Sequence, residues 1–143
     1  MDEFDRISAL PDELTYHQLE HEFACIIERI KSAPENQDSD ILMSALFELA
    51  DRQWNSYSLL SDTFRHQLDL LVLKIWSKDS LDSTEALMGI IARLGLTNAF
   101  SKVILTNPHE LKDEIKTEIA SAIVEFGDTV DDPYFGIRRI HNT

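Results

Sequence analysis

One cysteine in 143 residues leaves that thiol nothing to pair with, so no disulfide framework exists within the chain. Cys25 stands among Phe23, Ile26 and Ile27 and reads as a small buried hydrophobe, with a reactive thiol as the lesser alternative. Only four glycines and four prolines punctuate the sequence, and it has no Gly-rich phosphate loop, no C-x-x-C and no G-x-S-x-G. Those absences argue against phosphate-cradling folds, dithiol redox proteins and nucleophile-elbow hydrolases. No apolar run approaches the roughly 20 residues that a membrane helix needs. The opening MDEFDRISAL is acidic where a signal peptide would be basic, so a soluble cytoplasmic protein with no membrane partner is expected.

Positive charge is also scarce. Thirteen Lys and Arg face 26 Asp and Glu, a formal net charge of -13. Nucleic-acid binding requires the opposite balance, because neutralising phosphates takes clustered cations. A field of this sign speeds encounter with a basic partner, although it also serves solubility alone. The excess is uneven, with 11 acidic and 3 basic side chains in residues 1–40.

What the chain does have is helical periodicity. Its length suits a single domain over residues 1–143, and 43% apolar with 27% charged residues is a globular composition. The most complete signal is Asn107–Gly127. Asn107 suits a cap, Pro108 the first helical position, Glu110 a capping box and Gly127 a left-handed end. Between them Leu111, Ile115, Ile119, Ala122, Ile123 and Phe126 lay one apolar stripe, predicting a helix over the whole span. Upstream, Asp2–Leu10 predicts a turn or two. Thr15 with Gln18 boxes a helix whose stripe is Tyr16, Leu19, Phe23, Ile26, Ile27 and Ile30. After a polar loop at Ala33–Ser39, a helix from Asp40 carries Leu42, Ala45, Leu46 and Leu49. Ser61 is placed to cap the next, with Phe64, Leu68, Leu71, Val72 and Ile75 inward. LLVLKIW (Leu70–Trp76) has strand-like content, but the helical period running back to Phe64 favours helix. Asp82 with Glu85 predicts a box for Leu87, Ile90, Ile91 and Leu94, closed by Gly95. Thr97–Leu105 turns Phe100, Val103 and Ile104 inward, and Tyr134, Phe135, Ile137 and Ile140 predict a tail that packs back.

Three of these helices echo one another: LMSALFELA (Leu42–Ala50), LMGIIARLG (Leu87–Gly95) and IASAIVEFG (Ile119–Gly127). Their spacings of 45 and 32 residues match the repeat lengths of helical solenoids, while a plain bundle remains the alternative. Short connections predict antiparallel neighbours in either case.

Candidate chemistry is sparse. His17, Glu20 and His21 fit the inverted zincin pattern H-x-x-E-H, which would place two zinc ligands and a base on one helix. Two solvent-facing histidines beside the apolar stripe are the simpler account, and no third ligand stands out. Acidic pairs such as Asp113 with Glu114 and Asp131 with Asp132 lack calcium-loop spacing, and no cofactor pattern appears. Two stretches suit a binding surface. DRQWNSYS (Asp51–Ser58) mixes Trp54 and Tyr57 with polar residues, as interface anchors do, although packing against neighbouring helices would use the same aromatics. Asp128, Asp131 and Asp132, followed by Tyr134 and Phe135, set carboxylates beside aromatics, as suits a partner rich in Lys and Arg, although a charged helix exit has the same composition.

The segment from Phe64 to Thr129 resembles the small HEAT-like immunity proteins of bacterial polymorphic toxin systems, those of contact-dependent growth inhibition above all. The likeness rests on Ile75-Trp76 before the Lys78-Asp79 link, the capped helix ending at Leu94-Gly95, and the Lys116–Gly127 helix with its closing Gly-Asp. It covers roughly residues 60–130. The resemblance implies an all-α, HEAT-like α-α superhelix of about six antiparallel helices, not an enzyme. It implies an antitoxin that binds the C-terminal domain of a cognate toxin, often a basic nuclease, and blocks its site. Partner-binding candidates are then Asp51, Trp54, Tyr57, Asp79, Asp82, Glu125, Asp128, Asp131, Asp132 and Tyr134. A HEAT-like adaptor for another protein partner and a zinc peptidase built on His17, Glu20 and His21 are the rival readings.

Overall fold

A computed structural model describes residues 3–33 and 39–134. Residues 34–38 of the expected loop, and Phe135, Ile137 and Ile140 of the tail, lie outside the described residues. Among the described residues the protein is all-helical. Its α-helices are α1 (Glu3–Ser8), α2 (Tyr16–Ser32), α3 (Ser39–Asn55), α4 (Asp62–Leu71), α5 (Leu81–Leu94), α6 (Thr97–Ile104) and α7 (Asp113–Phe126), with 3-10 turns at Val72–Ile75 and Pro108–Glu110. None of these helices is long and apolar enough to cross a membrane.

Several ends form as the local chemistry requires. Thr15 Oγ1 accepts from the Gln18 N–H at 3.2 Å while Gln18 Oε1 accepts from the Thr15 N–H at 2.8 Å, a reciprocal box opening α2. Gly95 closes α5 at φ 73°, a left-handed conformation costly for any residue with a Cβ. The start of α5 differs from expectation. Ser80, not Asp82, is the cap, its Oγ accepting from the Ser83 N–H at 3.1 Å. Asp82 falls in the first turn instead, where its charge suits the helix dipole. Ser61 occupies the N-cap of α4 but makes no capping hydrogen bond with its side chain.

The helix expected over Asn107–Gly127 is broken. Asn107 Oδ1 accepts from the His109 N–H at 3.0 Å and opens only the short 3-10 turn, and Leu111 is extended. The break lets this stretch follow the loop after α4. Lys78 Nζ reaches Glu110 Oε2 at 3.5 Å, and Lys112 Nζ reaches the Asp79 carbonyl at 3.4 Å. Glu110 is therefore an ion-pair partner, not a member of a capping box, and Leu111 is freed to enter the core. Gly127 is right-handed, at φ -55°, and not the left-handed stop expected. The LLVLKIW run is helical to Leu71, tightens to 3-10 over Val72–Ile75, and is extended at Trp76. That exit buries the indole, whose Nε1 donates to Thr84 Oγ1 at 3.0 Å.

The helices pack in two rows. α1, α3, α5 and α7 touch in that order, and α2, α4 and α6 form a second row joined to the first where α2 meets α3 and α6 meets α5. The three echoed helices are α3, α5 and α7, consecutive members of one row. Their similarity therefore records a shared environment: Leu42, Leu87 and Ile119 are buried at one equivalent position, and Ala45, Ile90 and Ala122 at another. α3 and α5 approach closely at Gly89, where a Cβ would lie 2.6 Å from the Phe47 ring. Because α7 ends the described row, its outer side has no neighbour of this kind, and Ile123 and Val124 are 42% and 88% exposed. Ile123 accordingly leaves the expected stripe, as do Ile104 on α6 and Tyr16 on α2. Cys25 is half-buried and not sealed in the core.

One polar element ties the row together. Arg52 of α3 is buried, and its guanidinium donates to the carbonyls of Pro11 (3.0 Å), Leu10 (2.9 Å) and Glu48 (3.0 Å) and to the Glu48 carboxylate (3.0 Å). Arg52 thus fastens the chain leaving α1 onto α3.

Candidate functional site

The loop after α3 is shaped by its own side chains. Gln53 Nε2 donates to the Ser58 carbonyl at 2.9 Å, Ser56 Oγ donates to the Gln53 carbonyl at 2.6 Å, and the Tyr57 N–H donates to the Trp54 carbonyl at 3.2 Å. This tight turn carries Tyr57 at φ 57°, left-handed in a residue that rarely accepts it, and leaves the side chain 73% exposed.

The stretch after α7 returns to this loop. Trp54 Nε1 donates to the Pro133 carbonyl at 3.3 Å, and the Tyr134 hydroxyl donates to the Trp54 carbonyl at 2.8 Å, with the Ser58 carbonyl 3.0 Å away. Each segment thus holds the other through an aromatic side chain bonded to a backbone carbonyl. The Trp54 and Tyr134 rings stack at 5.8 Å between centroids, and Tyr57 stacks on Tyr134 at 6.2 Å. The Tyr134 hydroxyl is pushed up to about 12, chiefly by burial, with a backbone hydrogen bond at Ser58 opposing and the neighbouring Tyr57 adding to it. The two stretches singled out in the sequence meet at these three rings.

The acidic candidates divide. A cleft of about 480 Å³ is lined by Val124, Glu125, Phe126, Asp128, Asp132 and Pro133, among others, and is linked to the rings through Pro133, whose carbonyl takes the Trp54 N–H. Asp131 lines a different groove with Asp62, Arg65, His66 and Asp69. Asp51 is paired with Arg93 at 3.1 Å, whose guanidinium lies 4.9 Å from the centre of the Phe47 ring. Asp79 and Asp82 stand at the opposite end of α5 from Gly95, whose surroundings are Val130 and Pro133. At 1.5 Å of rise per residue that is about 20 Å from the aromatic cluster.

Three residues absent from the candidate list matter. Glu13 and Tyr16, at the entry to α2, line a second groove together with Tyr57. Tyr16 had been counted in the stripe of α2, and its 63% exposure is what sets it apart. Its hydroxyl is raised above the ordinary tyrosine value by its hydrogen bond to Glu20. Asp69 caps α6 from α4, accepting from the Ala99 N–H at 2.7 Å and the Asn98 N–H at 3.2 Å, which no local pattern foretells.

In the H-x-x-E-H stretch, the His17 ring meets Tyr16 edge-on at 5.8 Å, and His21 Nε2 lies 3.8 Å from Cys25 Sγ. The neighbouring buried Glu22 is bound by Arg6 at 2.6 Å. Among the described residues no group of three or more His, Cys, Asp or Glu side chains is arranged to hold a metal ion.

No protein-family model, curated protein or solved structure matches the chain.

Proposed function

We propose that the protein is an immunity protein, an antitoxin that binds a cognate basic toxin domain, a nuclease, and neutralises it by covering its active or substrate-binding surface. The observation that carries this reading is the joining of Trp54, Tyr57 and Tyr134 into one cluster, linked through Pro133 to the cleft that holds Glu125, Asp128 and Asp132. Rigid aromatic side chains anchor interfaces because they bury much area at little entropic cost, and truncating such an anchor commonly costs 2 kcal/mol or more. Carboxylates around them accelerate encounter with a positive partner, and the net charge of -13 extends that steering over the whole molecule. A nuclease must present cations to phosphate, so an acidic surface competes with its substrate directly. Neutralisation of this kind asks no catalysis and no cofactor of the antitoxin.

The packing in two rows, with the echoed helices consecutive in one of them, favours a HEAT-like α-α superhelix over a plain bundle. Resemblance of residues 60–130 to immunity proteins of contact-dependent growth inhibition points the same way. The test uses the C-terminal domain encoded by the gene immediately upstream, purified with its own nucleic-acid substrate. The expected outcome is stoichiometric loss of nuclease activity on adding this protein. Binding that leaves nuclease activity intact would instead favour a HEAT-like adaptor, and no binding would remove the antitoxin reading.

A further inference from the structure

The echo among α3, α5 and α7 leads to an open end. Phe47, sixth residue of the first echo, packs on α5, its ring against Gly89 and 4.9 Å from the Arg93 guanidinium. The matching residue of α5 is Ala92, which lines a cleft with Val124 and Phe126 of α7. The matching residue of α7 is Val124 itself, and it is 88% exposed. Two more positions on the same side repeat the pattern. Met43 and Leu46 of α3 are buried, as are Met88 and Ile91 of α5, whereas their counterparts Ala120 and Ile123 on α7 are exposed. The side covered in the inner helices is therefore still apolar on α7, and among the described residues no further helix of the row follows.

The two ends of the row differ in this respect. α1 exposes Asp5 and Ser8. Stacked helical arrays keep their end members dispersed with such a polar outer face, and α7 has none at these three positions. We propose that a second copy of this chain covers it, the α7 helices of two molecules lying antiparallel across a two-fold axis. This goes beyond the antitoxin reading and does not depend on it.

The face is complementary to itself. Lys116, Ala120 and Val124 stand four residues apart and form one ridge, and the right-handed Gly127, at φ -55°, carries the line on toward Asp128. Turned antiparallel about the level of Ala122, the ridge sets Val124 of one copy against Ala120 of the other, and Lys116 of one against Asp128 of the other. A two-fold axis makes each contact twice. Large meets small and cation meets anion. Lys116 holds Asp113 at 3.3 Å within the chain, an exposed pair of little worth, so turning to Asp128 costs it little. With one cation, one anion and apolar residues between them, this ridge does not select a basic partner.

Size and charge set the strength. The 14 residues of α7 span about 21 Å, and one helix face of that length falls short of the roughly 800 Å² per partner of a standard interface. A charge of -13 on each copy opposes association as well. A Kd on the order of 100 µM is expected, and added salt should tighten it by screening the repulsion.

The test is sedimentation equilibrium of the whole protein from about 10 µM to about 1 mM, at about 50 mM and about 500 mM salt. The expected result is a monomer–dimer equilibrium that is roughly fivefold tighter at the higher salt. Val124→Asp should stay monomeric throughout and melt with wild type, because the side chain it replaces is exposed. Lys116→Asp should weaken the dimer. Adding Asp128→Lys to it should restore association, and adding Asp131→Lys, which gives the same net charge, should not. Monomer under every condition, a dimer that survives Val124→Asp, or equal rescue by the two reversals would overturn the proposal. So would a chain ending at Tyr134 that dimerises where the full chain does not, since residues 135–143 would then be what covers α7. A monomeric wild type whose Val124→Asp variant no longer binds the upstream toxin domain would give the face to the toxin instead. Toxin neutralisation is measured well below the dimer Kd, so Val124→Asp should neutralise as wild type does. Loss of the dimer then leaves the antitoxin reading standing, and failure of the toxin to bind leaves the dimer standing.

Discussion

Replacing Arg52 with methionine should loosen the start of the chain from the rest. Arg52 is buried on α3 and gives hydrogen bonds to the Pro11, Leu10 and Glu48 carbonyls and to the Glu48 carboxylate, all at 2.9–3.0 Å. Methionine fills similar volume but donates nothing, so the Leu10 and Pro11 carbonyls lose their partner where α1 hands over to α2. Hydrogen bonds to a charged group contribute about 1.5–3 kcal/mol each in mutational series. The two short cross-segment bonds, to Leu10 and Pro11, therefore lose about 3–6 kcal/mol, beside a longer one to the Ser8 carbonyl at 3.4 Å. Part of this returns, because a buried guanidinium no longer has to be desolvated. A net cost of about 3 kcal/mol is expected, out of roughly 7–20 kcal/mol for a domain of this length. With a urea slope of about 2 kcal/mol/M, the midpoint should fall by about 1.5 M. Arg52→Lys should recover less than half, because one ammonium cannot span the same fan of carbonyls. Hydrogen exchange reports the location: the Ala9 and Leu10 amides, bonded to Asp5 and Ile7, should exchange faster than amides in α5. A urea midpoint within about 0.3 M of wild type, with Ala9 and Leu10 still protected, would refute the reasoning and leave Ile7 burial as the real tether.

Other outcomes follow from single positions. Gly95→Ala places a Cβ at φ 73°, 3.2 Å from the Val130 carbonyl, and should cost about 1–2 kcal/mol by thermal melting; no loss would mean the α5 end can rearrange. Ile119→Asp sets a carboxylate on the buried side of α7 and should cost about 4–6 kcal/mol, detaching that helix; wild-type melting would contradict the packing of α7 on α5. Tyr134 titrates from a raised value, about 12 against 10.0, so the neutral hydroxyl is the form the fold favours. The stability it contributes is complete below pH 10 and is lost as the pH rises toward 12. Trp54 emission should change through that window in wild type and not in Tyr134→Phe.

The elements that the sequence made legible are those governed by neighbours a few residues away. The Thr15 and Gln18 box, the left-handed Gly95 and the stripe of Leu42, Ala45, Leu46 and Leu49 all depend on chain positions within one or two turns. What escaped depends on distant contacts. The helix break at Leu111 goes with contacts to Lys78 and Asp79, more than thirty residues upstream, and the cap on α6 comes from Asp69 on another helix. The tail candidates and the loop candidates were visible separately, but their union through Trp54 and Tyr134 spans 80 residues. Within the aromatic loop, Trp54 packs against Pro133 and Tyr134 of the stretch after α7, while Tyr57 is exposed. Charge was legible in total and not in place. Glu125, Asp128 and Asp132 share a cleft, whereas Asp131, their neighbour in sequence, lines another groove.

The central claim is that this acidic and aromatic surface seizes a basic toxin domain, and its most direct measurement is the association rate of that domain by stopped flow at low and high salt. Wild type and an Asp131→Lys control should associate fast at low salt, while Glu125→Lys with Asp128→Lys should be about tenfold slower and less sensitive to salt. Equal rates for all three proteins would place the interface elsewhere on the molecule.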